Sequence, residues 1–309
     1  MSFSVHILGS GAALPTGRRQ PTSQYINCNE RHILIDCGEG TQQQLRNYGI
    51  KLQRIAHICI SHLHGDHFFG LPGLLSTMHL LGRDKKLSIY GPAGLENLIR
   101  AFLEAGGHPL TFDIQFQVVD PSVQTCVFED NLIRIEAFAL KHRIPTFGYR
   151  ILEKEKPRHL IQEAIQEAGL LIEDYHKLKA GLDIERDGRI YKNADFTLAA
   201  KKPLSYAFCS DTKAVESYLP AISGTTLLYH EATFTEQHKE RAKVTFHSTA
   251  AQAAQQAQNA NCTYLLLGHF SSRYADETQH VIEAKAIHNK VLAATDGLLI
   301  DLEKIARYF

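Results

Sequence analysis

The sequence of 309 residues lacks the features that mark membrane and secreted proteins. No apolar run approaches the roughly 20 residues that a helix needs to cross a bilayer. The first residues, MSFSVHILGSGAALP, have neither the charged beginning nor the apolar core of a signal peptide. We therefore expect a cytoplasmic protein without a membrane partner.

An excess of positive charge is also missing. Lys and Arg number 33, Asp and Glu number 33, and the formal net charge is zero. Proteins that bind nucleic acids usually carry a basic excess. Any nucleic-acid partner must therefore be held by a local patch or by metal ions.

Paired cysteines are absent as well, because none of the six forms a C-x-x-C motif. Cytosolic thiols stay reduced, so we expect no disulfides. Five cysteines lie in or next to apolar stretches and are expected to be buried thiols: Cys37, Cys59, Cys126, Cys209 and Cys262.

Short strand patterns and helix patterns alternate in both halves of the chain. A doubly wound dinucleotide-binding sheet is one interpretation, but GSGAALP has Leu14 where the third glycine of G-x-G-x-x-G is required. The run of strands at the start favours a sandwich of sheets covered by helices.

Residues 153–203 differ from the rest, because the apolar strands stop there. The segment carries ten basic and ten acidic residues and begins with a charged helical pattern, EKEKPRHLIQEAIQEAG. We expect a single domain over residues 1–309 that carries an inserted helical arm at 153–203.

The stretch SHLHGDH, residues 61–67, follows an apolar strand and concentrates metal-binding side chains. His62 and His64 can face one side of an extended segment, and Gly65 permits a turn that directs Asp66 and His67 to a second point. Imidazole and carboxylate ligands suit Zn²⁺, with Mn²⁺ as the alternative. The motif therefore predicts a share in two metal sites about 3.5–4 Å apart.

Three further ligand types follow apolar strands elsewhere: His142, Asp211 and His269. Together with the first motif, they resemble the metallo-β-lactamase superfamily. The resemblance implies an α/β fold, a four-layer αβ/βα sandwich, with two Zn²⁺ per subunit. It assigns His62, His64 and His142 to one zinc and Asp66, His67 and His269 to the other. The resemblance also implies that Asp211 bridges the two zinc ions and that Asp36 supports the ligand residues without binding the metal itself.

Three more motifs indicate one family within this superfamily: HEAT at 230–233, HST at 247–249 and GHFSSRY at 268–274. This set resembles the short form of the tRNase Z family. The resemblance implies an endonuclease that removes 3′ trailers from precursor tRNA and leaves a 3′-hydroxyl on the tRNA. It also implies a homodimer in which the arm of one subunit serves the active site of the other.

The chemistry predicts a role for each remaining residue. Asp66 is expected to orient the attacking hydroxide and accept its proton, and His247 to protonate the leaving alkoxide. Glu231 would hold the His247 tautomer and raise its pKa. Phosphate oxygens are expected to bind Arg273, Ser271 and Ser272.

Two departures from the family pattern leave alternatives open. The arm lacks a Gly-Pro motif, and the loop Pro15–Gln20 has Gly17 and Gln20 where Lys and Asn are usual. One alternative is a superfamily phosphodiesterase or arylsulfatase that acts on small esters. The other is an inactive zinc-containing module that binds RNA.

Overall fold

A computed structural model describes residues 3–107, 110–120 and 122–309. These residues divide into two compact units, one made of 3–152 and 204–309 and the other of 153–203. We call the second unit the arm. No helix among the described residues is long and apolar enough to cross a membrane.

The elements of the larger unit before the arm begin with strand β1. In chain order they are β1 Phe3–Gly9, β2 Ser23–Cys28, β3 Arg31–Ile35, α1 Thr41–Asn47, β4 Ile55–Cys59, α2 Gly65–Phe68, α3 Leu71–Leu80, β5 Leu87–Gly91, α4 Leu95–Ala105, β6 Ile114–Val118, β7 Thr125–Glu129, β8 Ile133–Leu140 and β9 Thr146–Glu153.

The arm has short helices and two-stranded ribbons. They are β10 His159–Leu160, α5 Gln162–Glu167, α6 Tyr175–Lys179, β11 Ile184–Arg186, β12 Arg189–Tyr191, α7 Asn193–Phe196 and β13 Thr197–Leu198. Strand β10 pairs with β13, and β11 pairs with β12.

The larger unit continues after the arm with a mostly parallel series. Its elements are β14 Ser205–Cys209, α8 Leu219–Ile222, β15 Leu227–Glu231, α9 Lys239–Thr245, α10 Ala250–Asn259, β16 Tyr264–Gly268, α11 Thr278–Lys285, β17 Val291–Ala293 and β18 Leu299–Asp301. Short 3₁₀ turns cover Leu52–Arg54, Ile172–Asp174, Glu216–Tyr218, Glu236–His238 and Leu302–Tyr308.

Two seven-stranded sheets form the larger unit. The first has the order β18-β1-β2-β3-β4-β5-β6, and the second has the order β17-β16-β15-β14-β9-β8-β7. Strands β3 to β6 are mutually parallel, as are β14 to β17. Ligand residues that follow β4, β14 and β16 therefore leave the carboxyl ends of parallel strands.

Alternation along the strands produces the layers. On β14, Tyr206 and Phe208 enter the central core between the sheets, while Ala207 and Cys209 face an outer core. On that outer face lie the buried alanines of α10. Helices α1, α3 and α4 cover the other sheet through a third apolar cluster. The predicted αβ/βα four-layer sandwich is confirmed.

Strand β7 and helix α9 are among the elements of the larger unit that the sequence patterns missed. Strand β7 buries Val127 alone among its five residues, and α9 buries Ala242 alone among its seven. Hydrophobic periodicity is weak when so little of an element is covered. Cys126 lies on β7 and is exposed, so the expectation of a buried thiol was wrong for that residue. The other five cysteines are buried, and no disulfide joins any of the six.

The arm has its own small apolar core. It consists of Ile165, Leu170, Leu178, Ile184 and Phe196. The long charged helix expected at the start of the arm is shorter than predicted, because α5 covers only Gln162–Glu167. Pro157 lies ahead of that helix and cannot donate a backbone hydrogen bond. Gly169, Gly181 and Gly188 turn the chain at positive φ between the short elements.

Candidate active site

The seven predicted metal ligands converge at one edge of the two sheets. They come from the ends of β4, β8, β14 and β16 and from α2, as expected for strands whose carboxyl ends meet. These ligands form two groups that could each hold a metal ion, one of His62, His64, His142 and Asp211 and one of Asp66, His67 and His269, and a third group joins Asp211 and His269 to His247. In each group the candidate ligand atoms lie within 4.8 Å of one another.

Asp211 lies between the two groups. Its Oδ2 is 3.5 Å from His62 Nε2, whereas its Oδ1 is 3.4 Å from His67 Nε2 and 3.1 Å from His269 Nε2. Asp66 Oδ2 lies 3.4 Å from His67 Nε2. The two oxygens of Asp211 therefore face different histidines, which is the arrangement that a bridging carboxylate requires.

Three buried polar atoms at the centre of the cluster have no hydrogen-bond partner. They are His67 Nε2, His269 Nε2 and Asp211 Oδ1. Buried polar atoms are normally paired, and unpaired ones cost free energy. Imidazole nitrogen and carboxylate oxygen are suitable donors for a divalent cation of the zinc type. The residues therefore fit a metal centre.

Hydrogen bonds on the outer side of the histidines set their orientation. His67 Nδ1 donates to Asp36 Oδ2 at 2.7 Å, and His142 Nδ1 donates to the Phe246 carbonyl at 2.9 Å. His269 Nδ1 lies 2.9 Å from Thr233 Oγ1. In each ring Nε2 is left for the metal, which is the usual arrangement around ligand histidines.

Asp36, the acceptor for His67, is held in place by its own hydrogen bonds. It is fully buried and also accepts hydrogen bonds from Ser61 N–H at 2.7 Å and Ser61 Oγ at 2.8 Å. Asp36 and His269 both have left-handed backbones, with φ of 56° and 57°. Such conformations are strained for residues with a side chain and are often found at functional sites.

The charge states of the site favour a cation. Burial lowers the pKa of His62 to about 3 and also lowers the pKa of His64 and His142, which keeps these rings neutral near pH 7. Burial opposes ionisation of Asp66 and Asp211, yet neighbouring imidazoles lower the pKa of both. Burial likewise opposes protonation of His67, yet Asp66, Asp211 and Asp36 raise its pKa. Ionised carboxylates are the form that binds metal.

Glu231 and His247 form a second pair beside the cluster. Glu231 Oε1 accepts from His247 Nδ1 at 2.9 Å, and the carboxylate is fully buried. Burial opposes protonation of His247, but the Glu231 and Asp211 carboxylates raise its pKa to about 9. His247 Nε2 lies 4.0 Å from Asp211 Oδ2. This nitrogen is therefore close to the metal site, and the ring lines the adjoining cleft.

A cleft of about 660 Å³ opens over the cluster. Ser271, Ser272 and Arg273 line it, as do the exposed residues Arg143 and Arg241, which the sequence patterns did not identify. Arg241 lies on α9, which lacked a helical signal, and Arg143 follows a ligand without belonging to a motif. Their presence provides the local positive charge that phosphate binding needs.

The loop Pro15–Gln20 is fixed to the wall of the same cleft. Arg19 is 6% exposed and pairs with Glu277, with Nη2 2.6 Å from Oε1. Two residues ahead of the loop, Ala13 N–H donates to Asp66 Oδ2 at 2.8 Å. Arg19 is therefore occupied by an ion pair, while the backbone just before the loop helps to orient Asp66.

The fold and the His/Asp cluster together define a metal-dependent hydrolase of the metallo-β-lactamase fold. A solved structure of the metallo-beta-lactamase fold protein YhfI from Bacillus subtilis superposes with a TM-score of 0.68 at 17% identity, over 97% of this chain and 100% of that one. The family described as Anti-Pycsar protein Apyc1 matches residues 3–156.

Closer relatives narrow the class. Ribonuclease Z of Porphyromonas gingivalis is 43% identical over 302 residues, covering 97% of this chain and 99% of the relative. Ribonuclease Z of Parabacteroides distasonis is 43% identical over 301 residues, with the same coverage. Human tRNase Z, short form, is 29% identical with a TM-score of 0.72, over 97% of this chain and 99% of that one. The chain belongs to the ribonuclease Z family, which confirms the resemblance found in the motifs.

Proposed function

We propose that the protein is a metal-dependent endoribonuclease that removes 3′ trailers from precursor tRNA and leaves a 3′-hydroxyl on the tRNA. Membership of the ribonuclease Z family, with curated relatives 43% identical over almost the whole chain, carries this conclusion. The predicted activity is confirmed at that level. No feature of the described residues favours a small-ester hydrolase or an inactive RNA-binding module.

Two Zn²⁺ per subunit are proposed as the cofactors. His62, His64 and His142 would hold one ion, Asp66, His67 and His269 the other, and Asp211 both. The three unpaired buried atoms and the two-sided position of Asp211 support this assignment. Bound divalent cations supply an activated water and stabilise the charge that develops on phosphorus. Zinc and manganese are distinguished by metal analysis of the purified protein.

The side chains of the site are proposed to carry out proton transfer and phosphate binding. Asp66, oriented by Ala13 N–H, accepts the hydrogen bond of the attacking water and receives its proton. The water oxygen bonds to phosphorus as the P–O3′ bond breaks, and His247 donates a proton from Nε2 to the departing 3′-oxygen of the tRNA. Glu231 holds His247 through Nδ1 and favours the protonated ring. Arg273, Ser271 and Ser272 are proposed to bind phosphate oxygens.

The arm is proposed as a separate binding site for the body of the tRNA. It has its own apolar core, and its helix α6 carries His176, Lys177 and Lys179 in its last turn. Arg186 is engaged by Asp174, with Nη2 2.6 Å from Oδ2, so it is less suited to bind phosphate. The homodimer is proposed on the family resemblance of the motifs, and the cytoplasmic location stays a prediction of the sequence analysis.

Cleavage of a precursor tRNA with a labelled 3′ trailer tests the function directly. The zinc-loaded protein should cut once after the discriminator nucleotide, and the tRNA fragment should end in a 3′-hydroxyl. Asp66→Asn should lower the cleavage rate about 10²- to 10⁴-fold, whereas Asp120→Asn, on an exposed turn, should not. An intact precursor under conditions in which small phosphodiesters are hydrolysed would overturn the proposal.

A further inference from the structure

Phe69 is a large apolar side chain exposed inside the catalytic cleft. It is 62% exposed, and it lines the same cleft as Asp66 and His247. Isolated exposed apolar residues are common on protein surfaces. Phe69 differs because it lies beside the reacting groups, where an exposed ring is in a position to contact substrate.

The helical geometry places Phe69 next to Asp66. Helix α2 covers Gly65–Phe68, and Phe69 continues the right-handed helical conformation at its end. Residues three apart on a helix share a face, with Cβ atoms roughly 5–6 Å apart. The two residues between them, His67 and Phe68, are turned inward and are buried. Phe69 is therefore the first side chain beyond Asp66 on the cleft face of the helix.

Packing contacts hold the ring of Phe69 in one position. A Cβ at Gly65 would lie 2.3 Å from Phe69 Cε2, so the ring packs directly against the glycine backbone. Phe68 meets it in an edge-to-face arrangement at 5.1 Å between ring centroids. These contacts hold the ring in place while most of its surface stays open to the cleft.

The walls of the cleft differ in chemistry. Leu14, which is 61% exposed, and Pro15 line the cleft with Phe69 and add apolar surface. Arg143, Arg241 and Arg273 also line the cleft and supply positive charge. A ribonucleotide strand offers both a phosphate, which binds cations, and a base with an aromatic face, which stacks on side-chain rings.

We propose that Phe69 is a base-stacking site for a nucleotide that adjoins the scissile phosphate. The inference rests on the proposed function, because it assumes that RNA occupies the cleft. With the phosphate at the His/Asp cluster, a base attached to the neighbouring ribose meets the Phe69 ring one helical turn from Asp66. Phe69 therefore contributes to aligning the strand, in addition to the metal ligands and the arm.

Substitutions at Phe69 distinguish the effect of an aromatic ring that stacks on a base from the effect of apolar side-chain volume. Phe69→Ala and Phe69→Leu should lower kcat/KM for precursor tRNA roughly 5- to 100-fold, because stacking on a ring is lost in both. Phe69→Trp should stay within about twofold of the unsubstituted protein, since the indole ring also stacks. Leu80→Ala is the matched control, because Leu80 is 81% exposed on α3 and does not line the cleft.

Substrates that lack one base make the test specific. Precursors with an abasic nucleotide on either side of the cut should be compared with the normal precursor. At one of the two positions, loss of the base should slow the unsubstituted protein as much as Phe69→Ala does, and the two changes should not add. Full activity of Phe69→Leu, or additive losses at both positions, would overturn the stacking site. Failure of the unsubstituted protein to cut the normal precursor would instead overturn the proposed function.

Fluorescence provides a readout that does not depend on turnover. A precursor with a non-hydrolysable phosphonate at the cut and 2-aminopurine at the position identified above should lose fluorescence on binding. The loss should occur with the unsubstituted protein and with Phe69→Trp, and it should be absent with Phe69→Ala at saturation. Equal quenching by Phe69→Ala would contradict the proposal.

Discussion

At the scale of single residues, Glu231 is tightly held by its surroundings beside the metal cluster. Its carboxylate is fully buried and accepts five hydrogen bonds, from the backbone N–H of Thr212, Thr233 and Ser248, from Thr233 Oγ1 and from His247 Nδ1. Charge-assisted hydrogen bonds of this kind compensate the cost of burying a carboxylate. The residue is therefore a rigid acceptor that fixes His247.

Replacing this acceptor should impair activity without removing the metal. In Glu231→Gln, an amide N–H would face groups that are already donors, so His247 would lose its orientation. We expect kcat on precursor tRNA to fall about 10²-fold, with metal content unchanged. Glu240→Gln on exposed α9 is the matched control. Unaltered kcat in Glu231→Gln would show that His247 does not depend on this contact.

His57 makes stability depend on pH far from the proposed chemistry. The ring is 8% exposed, and its Nδ1 lies 3.0 Å from the Tyr90 hydroxyl. Burial lowers the pKa of His57 from 6.5 to about 4. Between these values the unfolded chain binds the proton and the folded one does not, so stability increases with pH across this window.

The free energy of unfolding should therefore decrease as the pH falls from 6.5 to 4. The His57 contribution is up to about 3 kcal/mol, because folding lowers its pKa from 6.5 to about 4. His57→Asn, which keeps a polar atom near Tyr90, should reduce this slope in urea titrations at several pH values. Burial also lowers the pKa of His280 to about 4, so part of the pH dependence of stability should remain in His57→Asn. An unchanged slope in His57→Asn would contradict the assignment.

At the scale of elements, the N-terminal cap of α10 links the HST motif to the position of His247. Thr249 accepts a hydrogen bond from Gln252 N–H, and the Gln252 side chain accepts one from Thr249 N–H, which is a capping box. The HST motif thus ends in a helix cap, and the cap fixes the chain two residues after His247. Local chemistry at Thr249 therefore helps to place a residue of the site.

Removal of this cap should destabilise the protein moderately. Thr249→Ala is expected to lower the free energy of unfolding by about 1 kcal/mol, as measured by urea denaturation. Thr249→Ser, which retains the hydroxyl, should lose much less. Gln255→Ala, at an exposed position in the middle of α10, is the control for helix surface changes. Equal effects of the serine and alanine variants would argue against the capping role.

At the scale of the whole molecule, the arm is an insertion between two paired strands. Leu152 on β9 and Ser205 on β14 are partners in the second sheet, so the chain leaves and re-enters at adjacent positions. A two-residue turn connects antiparallel strands at this separation. A short Asn-Gly turn can therefore join β9 directly to β14 in a chain that lacks the arm.

Replacement of residues 153–204 by such a turn tests whether the arm binds substrate. We expect cleavage of precursor tRNA to fall at least 10-fold through KM, because contacts to the tRNA body would be lost. Hydrolysis of a small phosphodiester should be retained, because the metal ligands lie outside the deleted segment. A parallel loss of both activities would show that the arm supports the fold and not tRNA binding.

Most of the fold and the ligand set could be predicted from local patterns. Short apolar runs predicted β1, β4, β14 and β16. The SHLHGDH motif supplied four candidate ligands and three apolar runs that end in His or Asp supplied three more, and the structure brings these seven side chains together. Sparse burial concealed β7 and α9, so Cys126 was placed wrongly and Arg241 was missed. A pattern that depends on burial cannot reveal an element that buries one residue.

The sequence by itself determined which residues are candidate metal ligands and the order in which the strands present them, since both follow from residue type and from neighbours a few positions apart. Only the tertiary structure decided how the site is supported and shaped. It placed the Phe246 carbonyl on His142, 104 positions away, and the Ala13 N–H on Asp66, 53 positions away. Such contacts depend on how the sheets and loops pack, and no local spacing encodes them.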